Sequence, residues 1–295
     1  MTEAEFLARL RRLPLHPGAR GLRDDAAVMG GLVVTTDTLV EGVHFLADDP
    51  AGDVAWKLLA VNLSDLAAKG AVPEGVLLNY PLSTPDWDSA FLAELGKALA
   101  ALDCPLIGGD TVSLPPGGPR VLTLTALGRD AAAPSRAGAK AGHALWVTGT
   151  IGDAGAGLRI ARGAQGPAEL LAAYRRPRPR LVEGRALAPL VHAMSDVSDG
   201  LLIDAARMAA ASGLAVAVDL AAVPLSAALL AFDPDPLAAV TAGDDYELLF
   251  ALPADATPPV PATRVGRFAP GAGLTLTRAG APVPLPSRLG FEHGA

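Results

Sequence analysis

AWKLLAVNLSDLAAKG, residues 55–70, is the stretch from which the fold is read. Trp56, Leu59, Leu63 and Leu66 recur at helical spacing, and Leu58 and Val61 fall on the opposite side. A helix that is apolar on two faces belongs between layers rather than on a surface. Asp53 is placed as its N-cap and Gly70 as its stop. Asp65 shares a side with Leu58 and Val61, where a carboxylate is costly unless it is paired or binds a metal.

Towards the N-terminus, Glu3 to Leu13 reads as a short amphipathic helix ended by Pro14, Pro17 and Gly18. Ala26 to Thr36 reads as a hairpin, AAVM and LVVTT about a Gly-Gly turn, with Asp37 at the strand end. Towards the C-terminus, Gly75–Tyr80 is a predicted strand and Asp86–Leu102 a helix. Pro105–Ile107 leads into GGD, and Arg120–Leu127 alternates as a strand. Pro134–Gly142 reads as a link.

Beyond it, Ala144–Thr148 is a strand, and the glycine-rich GTIGDAGAG opens a helix over Ala156–Arg162. Ser198 or Asp199 is placed as the cap of a helix over Leu201–Ala211, stopped at Gly213. Strands are expected at Leu214–Leu220, Glu247–Leu252 and Thr263–Phe268, followed by a proline-rich tail wrapping the surface. The mixture predicts two α/β domains, residues 1–137 and 138–295.

Acidic residues cluster in short motifs beside these apolar runs: Asp24 and Asp25 in RDDAAV, Asp37 in TTDT, Asp65 in NLSDLAA, Asp110 in LIGGDTVS, Asp196 and Asp199 in SDVSDGL, and Asp244, Asp245 and Glu247 in GDDYELLF. Singly, each is an ordinary turn or cap. Together they sit at element ends, which converge in an α/β protein. Two carboxylates about 4 Å apart repel by roughly 4 kcal/mol at an effective dielectric of 20. Such a cluster therefore calls for cations, and hard divalent ions such as Mg²⁺ take oxygen ligands and pair with phosphates. TTD sets two hydroxyls beside a carboxylate, and the glycines of GGD allow a backbone to approach phosphate oxygens closely.

Composition narrows the chemistry. A net charge of −7 argues against nucleic acid as a partner. Cys104 is the single cysteine, which excludes a disulfide framework and a cysteine-zinc cluster and fits a reducing, cytoplasmic compartment. The N-terminus lacks the apolar core of a signal peptide. The apolar run Leu220–Phe232, broken by Pro224, falls short of the roughly 18 residues that suggest a membrane span. GxxxxGK[ST] is absent, and the glycines at 152, 155 and 157 do not complete GxGxxG.

Read in order, DDAAV, TTDTLVEGVHF, AWKLLAVNLSDLAAKGA, LIGGDTVS, SRAGAKAGHALWVTG, DVSDGL and GDDYELLF resemble the thiamine-monophosphate kinase family. That family belongs to the ATP-binding superfamily typified by aminoimidazole ribonucleotide synthetase. The motifs run from about residue 20 to about residue 250. The resemblance implies a two-domain, PurM-like α/β subunit whose N-terminal half-sheet pairs with a second copy, forming a β-barrel across a homodimer. It implies ATP-dependent, Mg²⁺-assisted phosphorylation of thiamine monophosphate to thiamine diphosphate.

The family's motifs carry Asp25, Thr35, Thr36, Asp37, Asp65, Asp110, Asp196 and Asp199 over as Mg²⁺ ligands. Gly109, Asp110, Arg136 and Ser198 are carried over as ATP contacts, and His44, Glu247 and Phe291 as substrate contacts. Asp110, Asp199 and Arg136 are expected to carry the chemistry of an in-line transfer. The chain departs from the family pattern at Arg23, where glycine is usual, at Lys69, where methionine is usual, and at the FEHGA terminus.

Two other readings stand beside this one. Cysteine-dependent relatives of the same superfamily, such as hydrogenase maturation factors or selenophosphate synthetases, use a catalytic cysteine (selenocysteine in some synthetases) in a C-terminal tail or near the N-terminus respectively, whereas Cys104 reads as core. A non-catalytic nucleotide-binding paralogue would be expected to have lost acidic ligands, whereas every motif here is filled.

Overall fold

Helix Ala51–Ala68 joins two layers in the computed structural model, which describes residues 2–115, 117–129 and 132–294. Leu58, Leu59, Leu63 and Leu66 are fully buried. One side of the helix packs on a first sheet, while Ala67 and Ala68 at its end pack against Met194, Leu248 and Phe250 of a second. Each buried leucine contributes on the order of 2 kcal/mol by leaving water. Gly184, in helix Leu181–Leu187, lets a neighbouring turn sit on Ala67, because a Cβ there would lie 2.0 Å from the Ala67 carbonyl oxygen.

The first sheet comprises β1 (Ala27–Met29), β2 (Leu32–Val40), β3 (Val72–Leu82), β4 (Leu106–Ser113) and β5 (Val121–Arg129), in the order β1-β2-β5-β3-β4. β4 runs parallel to β3, and the other pairings are antiparallel. Gly30 and Gly31 both take left-handed φ, +57° and +85°, as a two-residue hairpin turn requires.

The second sheet comprises β6 (Ala144–Thr148), β7 (Ala193–Asp196), β8 (Ala215–Asp219), β9 (Leu248–Leu252), β10 (Ala262–Ala269), β11 (Gly273–Arg278) and β12 (Ala281–Val283), in the order β12-β11-β8-β10-β6-β9-β7. The result is a mixed α/β, two-sheet architecture, each sheet with its own buried core.

Several local expectations change. Asp53 is not the N-cap: Pro50 holds that position, and Asp53, inside the first turn, pairs with Arg176 at 3.2 Å. Neither Ser198 nor Asp199 caps helix Leu201–Ala211. Gly200 occupies the cap at φ +127°, and Asp204, one turn inside, accepts from the Asp199 and Gly200 amides at 3.1 and 3.2 Å. GGD is not a loop after a short strand but lies within β4. Part of the tail is ordered as β11 and β12, with β11 parallel to β8.

The basic stretch Tyr174–Arg180 fastens the second half to the first. Trp56 Nε1 donates to the Pro177 carbonyl at 2.9 Å, Arg175 pairs with Asp49 at 3.0 Å, and Arg176 pairs with Glu94 at 2.6 Å. No helix among the described residues is long and apolar enough to cross a membrane.

Candidate functional site

The central helix carries polar groups into the seam between the halves. Asn62, fully buried, accepts from the Asp37 amide at 3.0 Å and donates to the Leu58 carbonyl at 2.9 Å. Ser64 Oγ donates to Asp196 Oδ2 at 2.6 Å. Asp65 accepts a short hydrogen bond from the Thr35 hydroxyl. Lys57, 2% exposed, donates to the His44 carbonyl at 3.0 Å and to Asp244 Oδ2 at 2.7 Å. These contacts bring β2, the helix and the end of β7 to one place.

The DVSDG and GDDYE segments are laddered by their backbones. The Asp244 amide donates to the Ser198 carbonyl, Tyr246 to Val197 and Val197 to Glu247, each at 2.8 Å. Asp244 and Tyr246 take left-handed φ of +69° and +51°, uncommon for residues with a side chain, so this ladder holds a strained turn.

Of the site residues expected from the sequence, Thr36, Asp37, His44, Asp65, Asp196, Ser198, Asp199 and Phe291 line a single cleft of about 930 Å³. Thr35 lies behind it, 5% exposed and bonded to Asp65. Thr36 borders it, but its hydroxyl donates to the Leu124 carbonyl at 3.1 Å, because neighbouring strand residues point to opposite faces. Asp199 is ion-paired with Arg207. The C-terminal segment folds back over the rim: the Phe291 amide donates to the Asp199 carbonyl, and the His293 ring lies 5.4 Å from His44 and 4.9 Å from Phe291.

Four expected residues fall elsewhere. Gly109 and Asp110 sit on β4, an edge strand exposed along its whole length. Two strands separate β4 from β2, which puts Asp110 roughly 14 Å across the sheet from Asp37. Glu247 is buried and faces a smaller neighbouring pocket of about 180 Å³, where Arg180 grips it bidentately and Thr148 donates to it at 2.6 Å. Arg136 lies behind Asp25, whose carboxylate it binds, and its Nε is buried without a hydrogen-bond partner among the described residues.

Electrostatics mark the cleft as a place for cations. Oxygens of Asp25, Asp65 and Asp196 lie within 4.8 Å of one another. Burial, then the charges of Asp37, Asp196 and Asp25, push Asp65 well above the usual carboxylate range. Burial, then Asp25 and Asp199, push Asp37 up to about 6, and burial, then Asp25, pushes Asp196 up to about 8. Burial also pushes Asp25 upward, but the Arg136 and Lys69 charges outweigh it and hold it low.

Among the described residues, buried Asp25 Oδ2 has Lys69 Nζ as its close partner, an ion pair at 2.6 Å. Asp37, Asp65 and Asp196, carboxylates raised by burial and by neighbouring negative charge, form an oxygen donor set suited to Mg²⁺. The sequence reading missed Lys57, Asn62, Ser64 and Asp204, polar residues inside apolar helical runs.

A cleft lined by acidic groups on two packed α/β sheets defines the class. The chain matches the models for AIR synthase related proteins, the N-terminal domain over residues 23–129 and the C-terminal domain over residues 140–277. It is 41% identical to the thiamine-monophosphate kinase of Caulobacter vibrioides, over 99% of this chain and 91% of the relative. Among solved structures, the complex of AaThiL with AMPPCP and TMP superposes with a TM-score of 0.86, at 27% identity and with 99% and 97% of the two chains covered. The thiamine-monophosphate kinase of Stenotrophomonas maltophilia K279a superposes with a TM-score of 0.77, at 37% identity and with 96% and 99% covered. The chain belongs to the thiamine-monophosphate kinase family.

Proposed function

We propose that this chain transfers the γ-phosphoryl group of ATP to thiamine monophosphate, giving thiamine diphosphate and ADP. The observation that carries the reading is the convergence of Asp37, Asp65, Asp196 and Asp199 on one cleft large enough for a nucleotide and a second phosphorylated molecule. A terminal phosphate oxygen of thiamine monophosphate attacks the γ-phosphorus, a new P–O bond forms, and the bond to the β-phosphate oxygen breaks. That nucleophile is already anionic near neutral pH, so no strong general base is needed.

Mg²⁺, when bound, would supply neutralisation of the phosphate charges. Asp37, Asp65, Asp196 and Asp199 are the residues that would hold it, with Thr35 fixing Asp65 and Ser64 fixing Asp196, while Asp25 lies against Asp65 and Asp196 already paired with Arg136 and Lys69. Ser198 serves the nucleotide, and His44 and Phe291, on the cleft wall, serve the thiamine moiety, while Arg136 acts through Asp25, whose carboxylate it binds. Glu247 anchors Arg180 beside that wall.

The working unit is a homodimer whose two first sheets meet along β4. An edge strand carrying exposed Leu106, Ile107 and Val112 is a template for pairing with another chain. We propose that Gly109 and Asp110, exposed on that edge, serve the partner's cleft rather than their own. The halves divide at residue 137, between the end of β5 and the start of β6. A single buried cysteine fits a cytoplasmic enzyme and leaves no exposed thiol for the cysteine chemistry of superfamily relatives.

Incubation with Mg²⁺-ATP and thiamine monophosphate, with thiamine as control acceptor and EDTA as blank, tests the reading. Thiamine diphosphate and ADP should appear in equal amounts in the first reaction only. Their absence there would end it.

A further inference from the structure

Lys69 is the most deeply buried cation in the seam, with a side chain 0% exposed. Its Nζ lies 2.5 Å from Asp24 Oδ1, 2.6 Å from Asp25 Oδ2 and 3.2 Å from the Met194 carbonyl oxygen. Asp24 is fully engaged in holding it: besides Lys69, that carboxylate accepts from Arg20 at 2.6 Å, from the Asp25 amide at 3.0 Å and from the Arg136 amide at 3.2 Å. Asp25 meets a cation at each oxygen, Arg136 at Oδ1 and Lys69 at Oδ2.

Lys69 follows Asp65 by one helical turn at the end of helix Ala51–Ala68, where the helix dipole favours a positive charge. One helix face therefore presents a carboxylate and an ammonium to the same cluster. An ammonium taken fully out of water needs close anionic partners, and this one has two.

We infer that Lys69 is a resident cation of the carboxylate cluster: it supplies at Asp25 the positive charge that a divalent ion would otherwise supply there, and it fixes Asp25 in place. The inference rests on reading the cluster as a divalent-cation cradle. Lys69 touches no substrate in this scheme; it is a positioning residue acting through Asp25. With a point charge already beside Asp25 Oδ2, the nucleotide-free protein holds fewer divalent ions, or holds them more weakly, than its carboxylates alone would allow. Removing that charge should open Asp25 to metal.

The test is direct metal binding by the full-length protein without nucleotide, with Mn²⁺ counted by electron paramagnetic resonance and Mg²⁺ titrated calorimetrically. Lys69→Met, of similar length and uncharged, should gain a bound ion per chain or bind its weakest ion at least about tenfold more tightly. Its melting temperature should fall in EDTA and recover on adding Mg²⁺, far more than that of the wild type. A merely structural lysine would give a loss of stability that Mg²⁺ does not restore. Should Lys69→Met unfold in EDTA, refolding on Mg²⁺ addition is the same expectation read as stability. Lys69→Gln provides the second variant. Unchanged metal number and affinity in both variants, or an unfolded Lys69→Met at every Mg²⁺ concentration with Lys69→Gln unchanged, would overturn the inference. Wild-type protein that binds no Mn²⁺ even with ATP and thiamine monophosphate would instead overturn the cradle reading itself.

Discussion

Ser64 Oγ donates to Asp196 Oδ2 at 2.6 Å, across the seam between the central helix and the end of β7. Both residues are buried, so the bond joins the two halves at the cleft floor. Ser64→Ala leaves a buried carboxyl oxygen without its donor, at a cost of about 1–3 kcal/mol. The expected outcome is a lower denaturation midpoint with an unchanged m-value, and a higher Mg²⁺ requirement for turnover. An unchanged midpoint would show that Asp196 finds another partner.

The metal-free protein should lose stability as pH rises from about 4 to about 8. Asp37 and Asp196 have raised pKa values in the folded chain, about 6 and about 8, so between an ordinary carboxylate pKa and these values the folded state holds protons that the unfolded state has released. Stability then falls with rising pH, by up to about 1.4 kcal/mol per pH unit for each such proton. Asp24, held down to about 2 against burial by Lys69 and Arg20, acts in the opposite sense, but only when the pH drops through the acid range. Thermal melts in EDTA at pH 5.5 and 8.5 check this, and saturating Mg²⁺ should narrow the gap. A gap that Mg²⁺ leaves untouched would count against the cluster as the cause.

Lys57 pairs with Asp244 from a side chain only 3% exposed, whereas Asp244 is 28% exposed. Breaking a fully buried pair costs about 3–5 kcal/mol, and partial solvation of Asp244 reduces this to about 2 kcal/mol for Lys57→Met. Adding Asp244→Asn should recover part of the loss. A double-mutant cycle by chemical denaturation measures the coupling, and additive single effects would deny it.

Asp110 and Asp199 should complement each other between subunits. Asp110→Asn and Asp199→Asn should each be inactive alone. Co-refolded in equal amounts, they should regain about a quarter of wild-type activity, because half of the dimers are mixed and each mixed dimer has one intact site of two. No recovery from a confirmed mixed dimer would place Asp110 in its own chain's site. Ile107→Lys, on the same exposed edge, should shift sedimentation towards monomer and lower activity with it.

How much of this was legible before folding varies by residue. Asp65 could be singled out because a carboxylate on an apolar helix face conflicts with its surroundings, and that conflict is visible in periodicity alone. The GG hairpin turn was equally visible, since two left-handed residues in a row demand glycine. Ser64, Asn62 and Lys57 were not, because a polar residue in an apolar run gives no hint of its partner when the partner is up to 187 residues away. The tail strands β11 and β12 were hidden because short segments acquire their pairing from the sheet they join.

The residue types and spacing alone determined the buried helix, the alternation of strands and helices, and the oxygen-donor chemistry of the acidic motifs, since periodicity and side-chain chemistry are local properties. The tertiary structure alone decided which acids meet. Strand order carried Asp110 to an exposed edge, while the packing of one helix between two sheets gathered Asp25, Asp65 and Asp196 together and set Lys69 against Asp25. Such distances arise from chain topology and long-range packing, which no local pattern encodes.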